Sequence, residues 1–176
     1  VVYEIRVENI GGASGIYSLE DEPQYDDDIT ITSGTYAGAE SGAMNTTGAT
    51  TLATSKSIGA GASQVYTVTL NVTMDLTGTS NDGGDDVYTA CSTPGNNPGS
   101  NPGEGLYNVA RLDRGSNGNN DIEDDACGDL PNVVMEKDFV SATQNVDGSY
   151  DVVYEIRVEN IGGASGIYSL EDEPQY

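Results

Sequence analysis

Val1, Tyr3, Ile5 and Val7 alternate with Val2, Glu4, Arg6 and Glu8, a period of two that predicts a strand with one apolar and one largely charged face. The clearest case is Tyr66, Val68, Leu70, Val72 and Met74 alternating with Thr67, Thr69, Asn71 and Thr73. The same reading predicts strands over Ile16–Leu19, Ile29–Tyr36, Thr51–Ile58, Gly105–Leu112, Val133–Thr143 and Tyr150–Asn160. Asn9 to Gly12 and Gly59–Ser63 read as breaks. The acidic stretch Glu20–Asp28, with Pro23 inside it, is expected to end the second strand. Residues 37–50 read as a small-residue loop with weak edge structure, 77–104 as a long Gly/Asn/Pro/Asp insertion, and 113–132 as an acidic loop. Asp147-Gly148 is a hairpin signal between the last two strands. No stretch has a helical period, so the pattern predicts an all-β, antiparallel β-sandwich.

The segment VVYEIRVENIGGASGIYSLEDEPQY at Val1–Tyr25 recurs without a substitution at Val152–Tyr176, and Val152 stands 151 positions after Val1. A period of that length is the size of a domain, not of a solenoid unit. The expected organisation is therefore a tandem repeat of about 151 residues, seen through a window cut from a longer chain. Because Val133–Thr143 is expected to pair with Tyr150–Asn160, residues 1–131 read as a sandwich lacking its first strand. Residues 132–176 read as the first strands of the next identical repeat. The missing strand is expected from a preceding repeat or a neighbour, since an unfilled edge is an aggregation hazard.

Composition supports strands over helices: 36% of residues are apolar, Trp is absent, Phe occurs once, and there are 11 Tyr and 23 Gly. No apolar run is long enough to span a membrane as a helix. The net charge of −23 leaves no basic patch for a phosphate backbone, which argues against nucleic acid as a partner. Such a surface repels itself, stays solvated and attracts divalent cations. Asp113, Asn117, Asn119, Asp121, Glu123 and Asp125, nearly all at alternate positions of a Gly-rich loop, are the expected calcium ligands. Asp26-Asp27-Asp28 and Asp82, Asp85 and Asp86 form weaker sets, and plain solvation of these loops is the alternative. Cys91 and Cys127 flank a Pro/Gly/Asn-rich region without His or a C-x-x-C pair, which disfavours zinc. A disulfide in an oxidising compartment is the preferred reading, with two buried thiols as the alternative. With no His, a Ser-His-Asp or Cys-His device is excluded, no phosphate loop is present, and no pair of carboxylates stands out as acid and base. The chain is expected not to be an enzyme.

Asn45-Thr46-Thr47 and Asn71-Val72-Thr73 fit the N-glycosylation pattern, with Asn71 on the polar face of its strand; chance occurrence, or O-linked sugar on the Thr-rich 43–57 region, are the alternatives. The segments DGSYDVVYEIRVENIGGASGIYSLEDEP, GAGASQVYTVTLNVTM, GEGLYNVARL and DDACGDLPNVVMEKDFV resemble the repeated Ig-like domain of bacterial surface proteins, a repeat of unknown function found in adhesins and cell-wall arrays. The resemblance covers most of one period. It implies an Ig-like sandwich, an extracellular location at the cell surface and a non-enzymatic stalk or filament whose main partner is itself. The alternative is an adhesin module that recognises a carbohydrate or protein through residues 77–104, near Tyr88 and Tyr107. Surface repeats of this kind sometimes carry an internal Lys–Asn isopeptide bond, and Lys137, on the inward parity of its strand, and Asn108 are the residues singled out for it. A salt bridge or a Lys reaching out to solvent is the alternative.

Overall fold

Alternation along the chain becomes alternation of burial in the strands. The computed structural model describes residues 1–76, 86–95 and 99–174, and among them there are ten strands and no helix. They are β1 (Val2–Glu8), β2 (Gly15–Pro23), β3 (Ile29–Gly38), β4 (Gly42–Ala43), β5 (Thr50–Ile58), β6 (Ser63–Met74), β7 (Leu106–Arg114), β8 (Ile122–Gly128), β9 (Val133–Gln144) and β10 (Tyr150–Asn160). No described helix is long and apolar enough to cross a membrane. The chain divides into two compact units, Val1–Gly128 and Asp129–Tyr176.

The first unit is an antiparallel β-sandwich. One sheet has the order β1-β6-β3-β4, the other β5-β2-β7-β8. Val7, Tyr66, Val68 and Leu70 of the first sheet meet Tyr17, Leu19, Leu52, Ala53 and Ile58 of the second in one core, which Met44 completes. Tyr66 is fully buried, and its hydroxyl lies 2.7 Å from that of Tyr17, so each ring keeps a polar partner inside the core. A second, smaller cluster gathers Tyr107, Val109 and the two cysteines.

Two elements differ from the sequence expectation. The acidic stretch does not end β2, which runs through Glu20, Asp21 and Glu22 to Pro23. It lies between β5 and β7, and the ladder on both sides supplies the backbone partners that the acidic residues do not discourage. Within the expected acidic loop 113–132, Ile122–Gly128 forms β8, paired with β7 from Leu112↔Ile122 to Leu106↔Gly128.

The second unit is the antiparallel hairpin of β9 and β10. Its turn is made by the Asp147-Gly148 signal, with Gly148 at φ 89° and the Asn145 N–H donating to Ser149 O at 2.8 Å. The register runs from Tyr150↔Gln144 to Asn160↔Val133, with Tyr154 opposite Phe139, Ile156 opposite Lys137 and Val158 opposite Met135. A bulge lies between Val153 and Tyr154.

Candidate functional site

The backbone of β1 serves two sides. Val1 and Leu70 exchange both backbone hydrogen bonds at 2.9 Å, so the odd-numbered residues of β1 face β6 and Val2, Glu4, Arg6 and Glu8 turn their N–H and C=O groups outward. Among the described residues, no strand pairs with that outer edge. Beneath it, an open groove of about 280 Å³ runs between β1 and the β7–β8 side of the facing sheet. Tyr3, Ile5 and Val7 form one wall, Leu19 and Asp21 the floor, and Asn108 belongs to the opposite side.

Asp21 follows Tyr17 and Leu19 on the inward parity of β2, and is only 1% exposed. Its Oδ2 accepts a hydrogen bond from Asn108 Nδ2 at 3.2 Å. Burial pushes the Asp21 carboxyl up to about 6, with the Asn108 amide working against that rise. Asn108 is also buried, and its Oδ1 has no hydrogen-bond partner. A buried amide oxygen without a donor costs roughly 1–3 kcal/mol, so this site is incompletely satisfied. Tyr3 closes one end by donating its hydroxyl to Leu106 O at 2.6 Å, and burial raises its pKa. Asp125 adds a second buried oxygen without a partner, Oδ2, on the groove lining, and burial raises its pKa as well.

In the second unit, Lys137 is exposed on β9, its Nζ 4.9 Å from the centroid of the Tyr154 ring and ion-paired with Asp172 Oδ1. Asp172 is the counterpart of Asp21 in the repeated segment. Sequence reasoning singled out Lys137 and Asn108 but missed Asp21. Its signal was available: Tyr17, Leu19 and Asp21 stand at alternate positions, a carboxylate in series with two core residues.

Cys91 and Cys127 are joined in a disulfide spanning 36 positions of sequence. Next to it, Gly95 and Cys127 exchange backbone hydrogen bonds at 2.7 and 3.0 Å, covering part of the outer edge of β8.

The residues expected to hold calcium make contacts within the loop and with β7. Asp113 accepts the backbone N–H groups of Asn117 and Gly118 at 3.0 and 2.7 Å, and Asn117 Oδ1 accepts that of Asn119 at 2.9 Å. Asp121 accepts the Arg114 N–H at 2.7 Å, and Glu123 pairs with Arg111 at 3.0 Å, while Asp125 turns to the groove. Among the described residues, the acidic group that gathers three carboxylates within 4.8 Å of one another is Asp26, Asp27 and Asp28, the outer two buried. Asp26 Oδ2 there accepts the Thr89 N–H at 2.7 Å. Asp82 and Asp85 lie outside the described residues.

Asn45 and Asn71 are both exposed, with side-chain amides donating to Ala49 O at 2.7 Å and Ser33 Oγ at 2.9 Å. Of the 77–104 insertion, residues 77–85 and 96–98 lie outside the described residues. Tyr107 is buried against the disulfide and offers no aromatic wall to a ligand. Comparison with known proteins finds no matching family model, no matching curated protein and no matching solved structure.

Proposed function

We propose that the chain is the structural unit of an extracellular filament at a cell surface, in which the open β1 edge of each copy is completed by β9 of a neighbouring copy. One observation carries this reading: β10, whose residues from Val152 to Asn160 repeat Val1 to Asn9, pairs with β9 over its whole length. A strand that accepts β9 in one unit has, among the described residues, no strand on its outer edge in the other.

Transferred to β1, the observed register sets Phe139 opposite Tyr3, Lys137 opposite Ile5, Met135 opposite Val7 and Glu136 opposite Arg6. Phe139 and Met135 are 62% and 60% exposed in their own hairpin. Seated over the groove, each contributes roughly 1–2 kcal/mol of apolar burial. An exchange of β10 for the identical β1 keeps the same strand pairing and adds that burial. It is a strand swap between unlike ends of the chain, which is heterologous and propagates as a fibre unless the rotation closes it.

Light scattering and negative-stain imaging of the purified chain test the proposal. The chain is expected to form concentration-dependent linear oligomers. A Glu4→Pro chain, which loses an outward N–H but no bond to β6, is expected to fold and stay monomeric. A native chain that remains monomeric at high concentration would refute the reading.

Calcium enters the same proposal at Asp26–Asp28, where buried carboxylates in a chain of charge −23 gain from a hard cation. Calcium is expected to raise the melting temperature in a concentration-dependent way. Asp27→Asn, at the exposed member, is expected to reduce that rise without unfolding the chain. An equal rise in both chains would remove this site.

A further inference from the structure

In the turn between β7 and β8, one carboxylate holds both backbone N–H groups of the chain's single Asn-Gly pair, Asn117-Gly118. We propose that Asn117 is a self-modifying site: it closes on the Gly118 nitrogen to a succinimide that water opens to aspartate or isoaspartate, with Asp113 as the general base. The inference is independent of the strand-completion reading above.

Ring closure needs a nitrogen that can lose its proton, a carbonyl that can take up charge, and access for water. The Gly118 N–H donates to Asp113 Oδ2 at 2.7 Å, a carboxylate on the proton that has to leave. Asp113 Oδ1 accepts the Asn117 N–H at 3.0 Å, and the side chain is only 7% exposed, so the base is fixed against both residues of the pair. Asn117 Oδ1 accepts the Asn119 N–H at 2.9 Å, a donor placed where the negative charge of the tetrahedral intermediate develops. Asn117 and Gly118 are exposed, and no atom lies within 4 Å of where a Gly118 side chain would begin. With φ at 86°, Gly118 holds a left-handed conformation that only glycine adopts without strain.

The step uses each of these contacts as it stands. Asp113 takes the Gly118 N–H proton while the nitrogen bonds to Asn117 Cγ, and the Asn119 N–H holds the oxyanion on Oδ1. The proton passes to Nδ2, the Cγ–Nδ2 bond breaks, and ammonia leaves. Water then adds to the ring. Opening at Cγ gives aspartate on the original backbone, and opening at the Asn117 main-chain carbonyl gives isoaspartate. One water enters and one ammonia leaves, with no change of oxidation state. Each conversion adds one negative charge beside Asp113, so converted sites accumulate with the age of a copy. Asp147-Gly148 supplies an internal contrast. Gly148 has a similar φ of 89°, but its N–H donates to the neutral Asn145 O at 3.1 Å. Hydrogen bonds from the Ser149 hydroxyl and N–H, at 2.7 and 3.0 Å, hold the Asp147 carboxyl below its ordinary pKa, and an ionised carboxylate is a poor electrophile. That pair has neither the base nor the uncharged carbonyl.

The test ages the full chain at neutral pH beside a synthetic peptide of residues 111–124, which carries the same residues without the fold. Peptide mapping by mass spectrometry follows the loss of ammonia and gain of water at Asn117, and fragmentation separates aspartate from isoaspartate. The folded chain is expected to convert Asn117 at least about tenfold faster than the peptide, with Asp147 unchanged over the same period. Asp113→Asn, checked for folding by circular dichroism, is expected to lose that advantage. Urea gives a second measurement that needs no variant: unfolding the native chain is expected to slow Asn117 to the peptide's rate. A folded chain no faster than the peptide, or one that reacts faster once unfolded, would overturn the proposal. A folded Asp113→Asn chain that reacts as fast as the native one would overturn the role of Asp113.

Discussion

Replacing Cys91 and Cys127 together by alanine is expected to lower the unfolding free energy by roughly 3–4 kcal/mol. The bond spans 36 positions, and in the chain-entropy account its loss frees a loop of that length in the unfolded chain. Its folded-state role adds to this. Cys91, Tyr107, Val109 and Cys127 make up the smaller core cluster, and the Gly95–Cys127 bridge fastens the described part of the insertion to β8. A disulfide supplies here what so small a cluster cannot. Guanidinium denaturation of the two chains checks the value. A difference under about 1 kcal/mol would mean that the unfolded chain is already constrained in this region.

The repeated segment separates what local sequence encodes from what the fold supplies. Asn9 and Asn160 build the same turn in both copies: each donates Nδ2 to the backbone oxygen four residues on, at 2.9 and 2.7 Å, and each accepts an N–H from two residues on. The alternating strand before that turn also forms twice, as β1 and within β10. Residues 15–23 are a strand, whereas their counterparts 166–174 are not. The first copy lies between β5 and β7, and a strand without neighbours has nowhere to place its backbone donors and acceptors. Period-two alternation and turn chemistry are therefore legible in the letters, and most strand positions followed from them. The continuation of β2 through its acidic residues and the existence of β8 depend on partners distant in sequence.

The groove divides in the same way. Lys137 could be placed on an inward face by parity and Asn108 on a late strand, because both are strand positions. Asp21 was obscured by its neighbours: Glu20 and Glu22 flank it, and three acids in a row read as a solvated loop. Only the position of β2 at the centre of its sheet turns the middle acid into the core. In the turn after β7, Asp113 receives two of the turn's own N–H groups and Arg111 and Arg114 pair with Glu123 and Asp121, contacts that the spacing of the acids alone does not reveal.

Asp21→Asn is expected to remove a pH dependence of stability worth about 3 kcal/mol, measured at low chain concentration so that association does not intervene. The Asp21 carboxyl titrates at about 6 in the folded chain, above its ordinary value near 4 in the unfolded one. The folded state therefore binds the extra proton between those values. Stability associated with neutral Asp21 is complete below about pH 4 and is lost as the pH rises through about 6. Burial is the larger cause of the rise, and the neutral Asn108 amide, which donates to Asp21 Oδ2, works against it. An asparagine keeps the size of the side chain and cannot ionise. The two chains are expected to be of similar stability near pH 4 and to separate by up to about 3 kcal/mol near neutrality, the variant being the more stable. The 29 acidic residues make both chains pH-sensitive, so the difference between them, followed by urea denaturation across this range, is the informative quantity. A difference that does not change with pH would mean that the Asp21 carboxyl titrates normally.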